Sequence, residues 1–355
     1  MSGREPRYQH VGDFRLESGE VLRGVTQAYH LDGALNEARD NLVLVIHALT
    51  GSADAAGDWW ADAIGAGKTI DTERYAVLCT NLLGGCYGTG WSGTAGAGNR
   101  EQGIGNSGQK KSASDDEEDR AHPVITTWDQ ARLIQTLVEE LGIASVALVT
   151  GGSLGGMVAM EWAAQNPALA RSVVVFAAPA AHTAHAIAWN HVQRRAIQAA
   201  GERGLEIARM VGMMTYRTAD EQARRFGRAR TAEGEWQVGS YLDHHGRKLR
   251  ARFSARSYLA LMAAMDSHDV GAGRGGVAAA LRRIEGRLTG VGIPGDLLYG
   301  ADDVREWTEA AGAEYREIRS VHGHDAFLLE SAQVTEILED ALRAAEPAGA
   351  GAFGR

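Results

Sequence analysis

Cysteine and proline are scarce in this chain: of its 355 residues, two are cysteine and six are proline. Two thiols cannot build a disulfide framework, and Cys79 and Cys86 form neither a CxxC pair nor a zinc-binding spacing. Both read as reduced thiols beside an apolar strand, which points to the cytoplasm. Long apolar runs are also missing. No window reaches the roughly 18 unbroken apolar residues of a membrane span. The opening MSGREPRYQHVGDF is polar, without the apolar centre of a secretory signal. Positive charge is in deficit, with 36 Lys and Arg against 45 Asp and Glu, for a net charge of −9. Nucleic acid and anionic membranes are therefore not expected as partners. The sequence shows no metal-ligand cluster, so no metal is expected.

Glycine is abundant, at 45 residues, where a typical ~7% would give about 25. Much of the excess falls in turns and in one polar stretch, 88–122, which ends in an acidic run. It reads as a solvated insertion, and the tail EPAGAGAFGR reads as unstructured. Residues 41–47 (NLVLVIH), 75–81 (YAVLCTN), 145–150 (SVALVT) and 172–177 (SVVVFA) are continuous apolar runs, the mark of strands buried on both faces. Helical spacing appears over 128–141 and 154–164. This alternation predicts a mostly parallel sheet covered by helices on both faces. From about 180 to 285 the pattern is helical, rich in Arg and Ala. Strands resume at 287–293 and 314–321, and a helix follows at 334–345.

At 145–156 the chain reads SVALVTGGSLGG, so Gly151-Gly152-Ser153-Leu154-Gly155 matches G-x-S-x-G. A buried strand enters the motif and an apolar helix leaves it, as a nucleophile elbow requires. The turn is sharp, so small residues must flank the serine, and the helix N-terminus favours the negative charge of a reaction intermediate. A glycine-rich phosphate loop is the bland alternative, but it lacks the lysine such loops carry. A serine nucleophile needs a base and an orienting acid, in the order Ser, Asp/Glu, His. His322 and His324 are the histidines after the last strand pattern. Asp296, Asp302 and Asp303 are the candidate acids. Asp296 directly follows a strand at its C-terminal end, while Asp302 and Asp303 suit the start of the next helix. The oxyanion donors fall to the amide after the nucleophile, Leu154, and to one within 47–51. Met157, Met213 and Met214 read as core fillers, and Trp59 and Trp60 as packing.

Beyond these motifs, long segments resemble the homoserine O-acetyltransferases, a family of acyltransferases with the α/β-hydrolase fold. They include HALTGS (47–52), GKTIDTERYAVLCTNLLGGCYG (67–88), GGSLGGMVAMEW (151–162), GLEIARMVGMMTYR (204–217), the stretch 240–276, GDLLY (295–299) and HGHDAFLLE (322–330). The GHDAFL run and 240–276 are far more specific than G-x-S-x-G. The main departure is 89–121, where the family's usual stretches after G-G-C are replaced by the polar segment. Gly300 also stands where the family carries proline.

The resemblance implies an α/β-hydrolase core over 1–180 and 286–355, with a helical lid inserted at 181–285 and a polar loop insertion at 89–121. It implies Ser153 as nucleophile, His324 as base and Asp296 as acid. Leu49 and Leu154 become the oxyanion donors, and Arg209, Tyr216 and Asp325 the contacts to the amino-acid substrate. Acetyl-CoA would be the acyl-donor substrate, L-homoserine the acceptor and methionine biosynthesis the setting, with no bound cofactor. A cytoplasmic homodimer joined through the lid is expected. Succinyl-CoA as donor, serine as acceptor, and an esterase or other hydrolase are the alternatives on the same fold.

Overall fold

The structure, a computed structural model, describes residues 4–92 and 123–346. Most of the 88–122 stretch and nearly all of the tail therefore lie outside the described residues. The strands are β1 (Arg7–Arg15), β2 (Val21–Asp32), β3 (Leu42–Ile46), β4 (Ile64–Gly65), β5 (Ile70–Asp71), β6 (Ala76–Thr80), β7 (Val146–Gly152), β8 (Ser172–Phe176), β9 (Arg287–Gly292) and β10 (Glu314–Glu317). The helices are α1 (Thr127–Glu140), α2 (Leu154–Gln165), α3 (Ala184–Tyr216), α4 (Ala219–Phe226), α5 (Gln237–Arg250), α6 (Ala255–Asp266), α7 (Val277–Leu281), α8 (Ala301–Ala311), α9 (Ala326–Leu329) and α10 (Ser331–Ala344).

Eight strands form one sheet in the order β1-β2-β6-β3-β7-β8-β9-β10. The six from β6 to β10 run parallel, while β1 and β2 pair antiparallel at one edge. The inner parallel strands β3, β6, β7 and β8 are buried at every position because both faces are covered, whereas the edge strand β10 is polar and half-buried. Leu42, Leu44 and Ile46 of β3 join a core shared with α1, α2 and α8. The intervening Val43 and Val45 join a second core with Trp60, Phe327 and α10. The period-two alternation of a strand thus feeds two layers at once.

Two parts of the architecture differ from the sequence expectation. The β1–β2 hairpin was not expected; its first strand alternates polar and apolar residues, with only Gln9 and Phe14 buried. Between β3 and β6 no helix intervenes, and the chain instead packs tight turns and the small β4–β5 pair against the sheet. Between β8 and β9 the chain makes the expected helical excursion, α3 to α7. Helix α3 breaks at Gly201, whose φ of 54° no other residue adopts cheaply. No described helix is long and apolar enough to cross a membrane.

Candidate active site

Ser153 sits between β7 and α2 with φ 56° and ψ −127°, an uncommon conformation for a residue with a side chain. Such a strained residue costs roughly 1–3 kcal/mol and persists because its surroundings fix it. Here the Ser153 amide donates to the Phe176 carbonyl at 3.0 Å, and the Ser153 carbonyl accepts from Met157 at 3.0 Å. The flanking glycines answer to close approaches. A Cβ at Gly155 would lie 2.1 Å from the Ile46 carbonyl oxygen, so α2 rests directly on the end of β3. A Cβ at Gly152 would lie 2.4 Å from the Phe327 ring.

That ring belongs to the segment that carries His324. His324 lies in a 3₁₀ turn, Gly323–Asp325, and its ring centroid is 5.7 Å from Phe327, 5.4 Å from Tyr299 and 5.6 Å from Tyr216. Its Nδ1 donates to Asp296 Oδ2 at 2.6 Å, and both side chains are buried. Asp296 Oδ1 accepts from the amides of Leu298 at 2.8 Å and Tyr299 at 3.0 Å, which fixes the carboxylate plane. Burial alone would lower the His324 pKa, but the charge and hydrogen bond of Asp296, with the charge of Asp325, outweigh it and raise the value. The other candidate acids are occupied elsewhere. Asp303 accepts from the Gly300 amide at 3.0 Å at the start of α8, and Asp302 pairs with Arg305 on the surface.

Leu49 and Leu154 are both buried and belong to the same apolar core, Leu154 directly after Ser153. The Leu154 amide belongs to the first turn of α2, which has no carbonyl of its own helix to bond. Two side chains lock the loop that holds Leu49. His47 Nδ1 donates to the Ala48 carbonyl at 2.8 Å, while its Nε2 accepts from the Leu82 amide at 3.1 Å. Arg252 donates to the Thr50 carbonyl at 2.8 Å and to the Tyr87 hydroxyl.

Arg209 and Tyr216 share one face of α3, with the guanidinium carbon 5.4 Å from the ring centroid. Asp325 does not pair with Arg209. It pairs with Arg217 at 3.0 Å, and Arg217 also meets Glu221 at 3.2 Å. Arg217 escaped the sequence reading although it follows Tyr216 directly. A buried relay behind the site was missed as well. The Tyr299 hydroxyl and His182 Nε2 share a hydrogen bond at 3.0 Å, and His182 Nδ1 lies 3.3 Å from Asp266. Asp266 in turn accepts from Asn190 at 2.8 Å and pairs with Arg194.

A family model described as alpha/beta hydrolase fold matches residues 41–261. A homoserine O-acetyltransferase of Thermobifida fusca (strain YX) is 42% identical over 360 residues, covering 92% of this chain and 90% of that protein. The chain belongs to the homoserine O-acetyltransferase family. Among solved structures, a homoserine O-acetyltransferase from Bacillus anthracis aligns with TM-score 0.81 at 21% identity, over 95% of this chain and 97% of that one. An esterase aligns with TM-score 0.79 at 18% identity, over 95% of this chain and 99% of that one. At such identities the likeness shows the α/β-hydrolase fold alone, which serves transfer and hydrolysis equally. Membership of the homoserine O-acetyltransferase family therefore rests on the sequence relatives, and the fold agrees with it.

Proposed function

We propose that this chain is a homoserine O-acetyltransferase working through a Ser153 acyl-enzyme. The observation that carries the reading is the buried His324–Asp296 hydrogen bond at 2.6 Å, on the segment packed against the strained Ser153 elbow, in a chain of this family. Neutral His324 takes the proton of the Ser153 hydroxyl as the oxygen attacks the thioester carbonyl of acetyl-CoA. The amides of Leu49 and Leu154 hold the oxyanion. Collapse of the tetrahedral intermediate breaks the C–S bond, and the imidazolium returns its proton to the leaving CoA thiolate. In the second half, His324 accepts the proton of the homoserine hydroxyl, which attacks the acetyl-serine. O-acetyl-L-homoserine leaves, Ser153 regains its proton, and the product enters methionine biosynthesis.

Arg209 grips the homoserine carboxylate with its forked N–H groups, and Tyr216 sits beside both Arg209 and His324. Asp325, held by Arg217, faces the ammonium group. Segment 181–285 acts as a lid over a core of 1–180 and 286–355, and two such chains pair through it in the cytoplasm. Incubating the protein with acetyl-CoA and no acceptor tests the scheme. Intact-mass and peptide spectra should place one acetyl group on Ser153, and Ser153→Ala should carry none and transfer nothing. Acetylation at another residue would refute the covalent route, and hydrolysis faster than transfer to homoserine would favour an esterase.

A further inference from the structure

The excursion between β8 and β9 carries a concentration of positive charge that this chemistry does not use. Arg224, Arg225, Arg228 and Arg230 follow one another at the end of α4 and just beyond it, in a chain whose net charge is −9. Three of them lie on aromatic faces. The Arg225 guanidinium carbon is 4.6 Å from the Tyr241 ring and 5.1 Å from the Phe226 ring. Arg228 and Arg230 stand 5.1 and 3.8 Å from the ring of Trp236, itself 39% exposed. Among the described residues, none of these three arginines is in an ion pair. Among the described residues, the neighbouring Asp220, Glu235 and Asp243 are in no ion pair, with these arginines or otherwise. Glu221 meets Arg217 and His322, and the Glu233 carboxylate bonds its own backbone and Thr231. Arg230 donates one N–H to the Gly234 carbonyl at 2.6 Å, and its remaining donors stay open. A guanidinium lying on a ring leaves its edge N–H groups pointing outward, and such edges match phosphate oxygens in pairs.

The patch connects with the candidate active site through ring contacts and, between His245 and Arg209, through charge alone. The Tyr241 ring is 4.4 Å from His245, one turn further along α5. Burial, followed by the charges of Arg209, His244, Lys248 and Arg217, pushes His245 down to about 4. That neutral imidazole lies in a field of cations with too few anions to balance it. Arg209 leads on to Tyr216, and Tyr216 to His324. From Trp236 to His245 the rise along α5 is about 14 Å at ~1.5 Å per residue. A run of cations therefore leads outward from the reacting centre to an exposed arginine cluster, the form of a track for a long substrate with an anionic end.

We propose that Arg225, Arg228 and Arg230, seated on Tyr241 and Trp236, receive the phosphate groups of the coenzyme A thioester while its acyl end lies at Ser153. This rests on the acyltransferase reading above. No residue of the cluster takes part in bond making, so its contribution lies in donor capture, not in the chemical step.

Steady-state kinetics of the full chain with two donors tests it: acetyl-CoA, and acetyl-pantetheine, which carries the same thioester without phosphates. The double variant Arg228→Gln/Arg230→Gln, and separately Arg225→Gln, should raise KM for acetyl-CoA about tenfold or more with kcat nearly kept. The same variants should leave acetyl-pantetheine and homoserine kinetics within about twofold of wild type. Adenosine 3′,5′-bisphosphate should compete with acetyl-CoA in the wild type and lose about tenfold in potency in the variants. Added salt should raise the wild-type KM for acetyl-CoA and leave that for acetyl-pantetheine unmoved. Equal losses with both donors, or an unchanged KM for acetyl-CoA, would overturn the proposal. A change in sedimentation mass in the variants would overturn it too, assigning the patch to contact between chains. Wild-type protein that releases no CoA from acetyl-CoA would instead overturn the functional reading, and that result appears before any variant is made.

Discussion

His324 stands between two carboxylates that act on it in different ways. Asp296 binds its Nδ1 at 2.6 Å, whereas Asp325 contributes charge from the next position in the chain and is itself tied to Arg217. Burial disfavours the imidazolium, and the two carboxylates together overcome it, so the histidine gives up its proton at higher pH than a free one. A base must be unprotonated to work, so the acid limb of kcat/KM should lie above the ordinary histidine range. Asp325→Asn removes one negative neighbour and should shift that limb to lower pH, without the roughly 10⁴-fold loss in kcat expected of Asp296→Asn. The pH profiles of the two variants, measured with saturating acetyl-CoA, separate the roles. An acid limb that stays put in Asp325→Asn would mean that Asp325 does not act on the base. Arg209→Lys belongs to the same scale. Lysine keeps the charge but not the fork, so transfer to homoserine should fall by about 10–150-fold, at ~1.5–3 kcal/mol for a lost charge-assisted contact. The rate of Ser153 acylation, followed by CoA release in a single turnover, should hardly change, and equal damage to both halves would point to a structural role.

At the scale of elements, the decisive contact is the one between α2 and β3. Gly155 has no room for a methyl group, because the Ile46 carbonyl lies 2.1 Å from where a Cβ would stand. Gly155→Ala must push α2 away from the sheet, and α2 begins directly after Ser153 while the loop holding Leu49 leaves β3. We expect a loss of several kcal/mol in stability, beyond the ~1–3 kcal/mol typical of overpacking, together with loss of transfer. Urea unfolding would detect it, and a variant of near wild-type midpoint would show that the helix can shift at little cost. The same elements explain what could be read in advance. The buried strands near 41–47, 75–81, 145–150 and 172–177 were legible because a parallel strand covered on both faces is apolar at every position. The elbow was legible because it needs glycines at fixed offsets, and Asp296 because it follows β9. The β1–β2 hairpin was not, since an edge strand with a wet face mixes polar and apolar residues. Met214 carries no helical signal of its own; expected in the core, it is 41% exposed, while Met157 and Met213 are buried. The Tyr299–His182–Asp266 relay left no trace in local pattern, because it joins segments more than 80 positions apart through side chains alone.

For the molecule as a whole, the buried histidines tie stability to pH. His47 uses one ring nitrogen as donor and the other as acceptor, an arrangement open only to the neutral ring. Burial pushes it down to about 4, and burial, reinforced by the charge of His182, pushes His268 down to about 3. In the unfolded chain both return to about 6.5. As pH falls below that value, the unfolded chain takes up protons that the folded one refuses, so stability must fall. The slope approaches ~1.4 kcal/mol per pH unit for each histidine, and it continues to about pH 4 for His47. His324 acts in a different window. Its raised pKa adds stability that is complete below about 6.5 and is lost as pH rises through the folded value, so it adds no slope on the acid side. Urea unfolding at pH 7.0, 6.0 and 5.0 should therefore show a steady decline, and His47→Gln, less stable at pH 7, should show a shallower one. Transfer activity should fail along with it, because His47 latches the loop that holds Leu49 to the turn at Leu82. Parallel declines in the wild type and His47→Gln would mean that groups other than this buried ring carry the acid sensitivity.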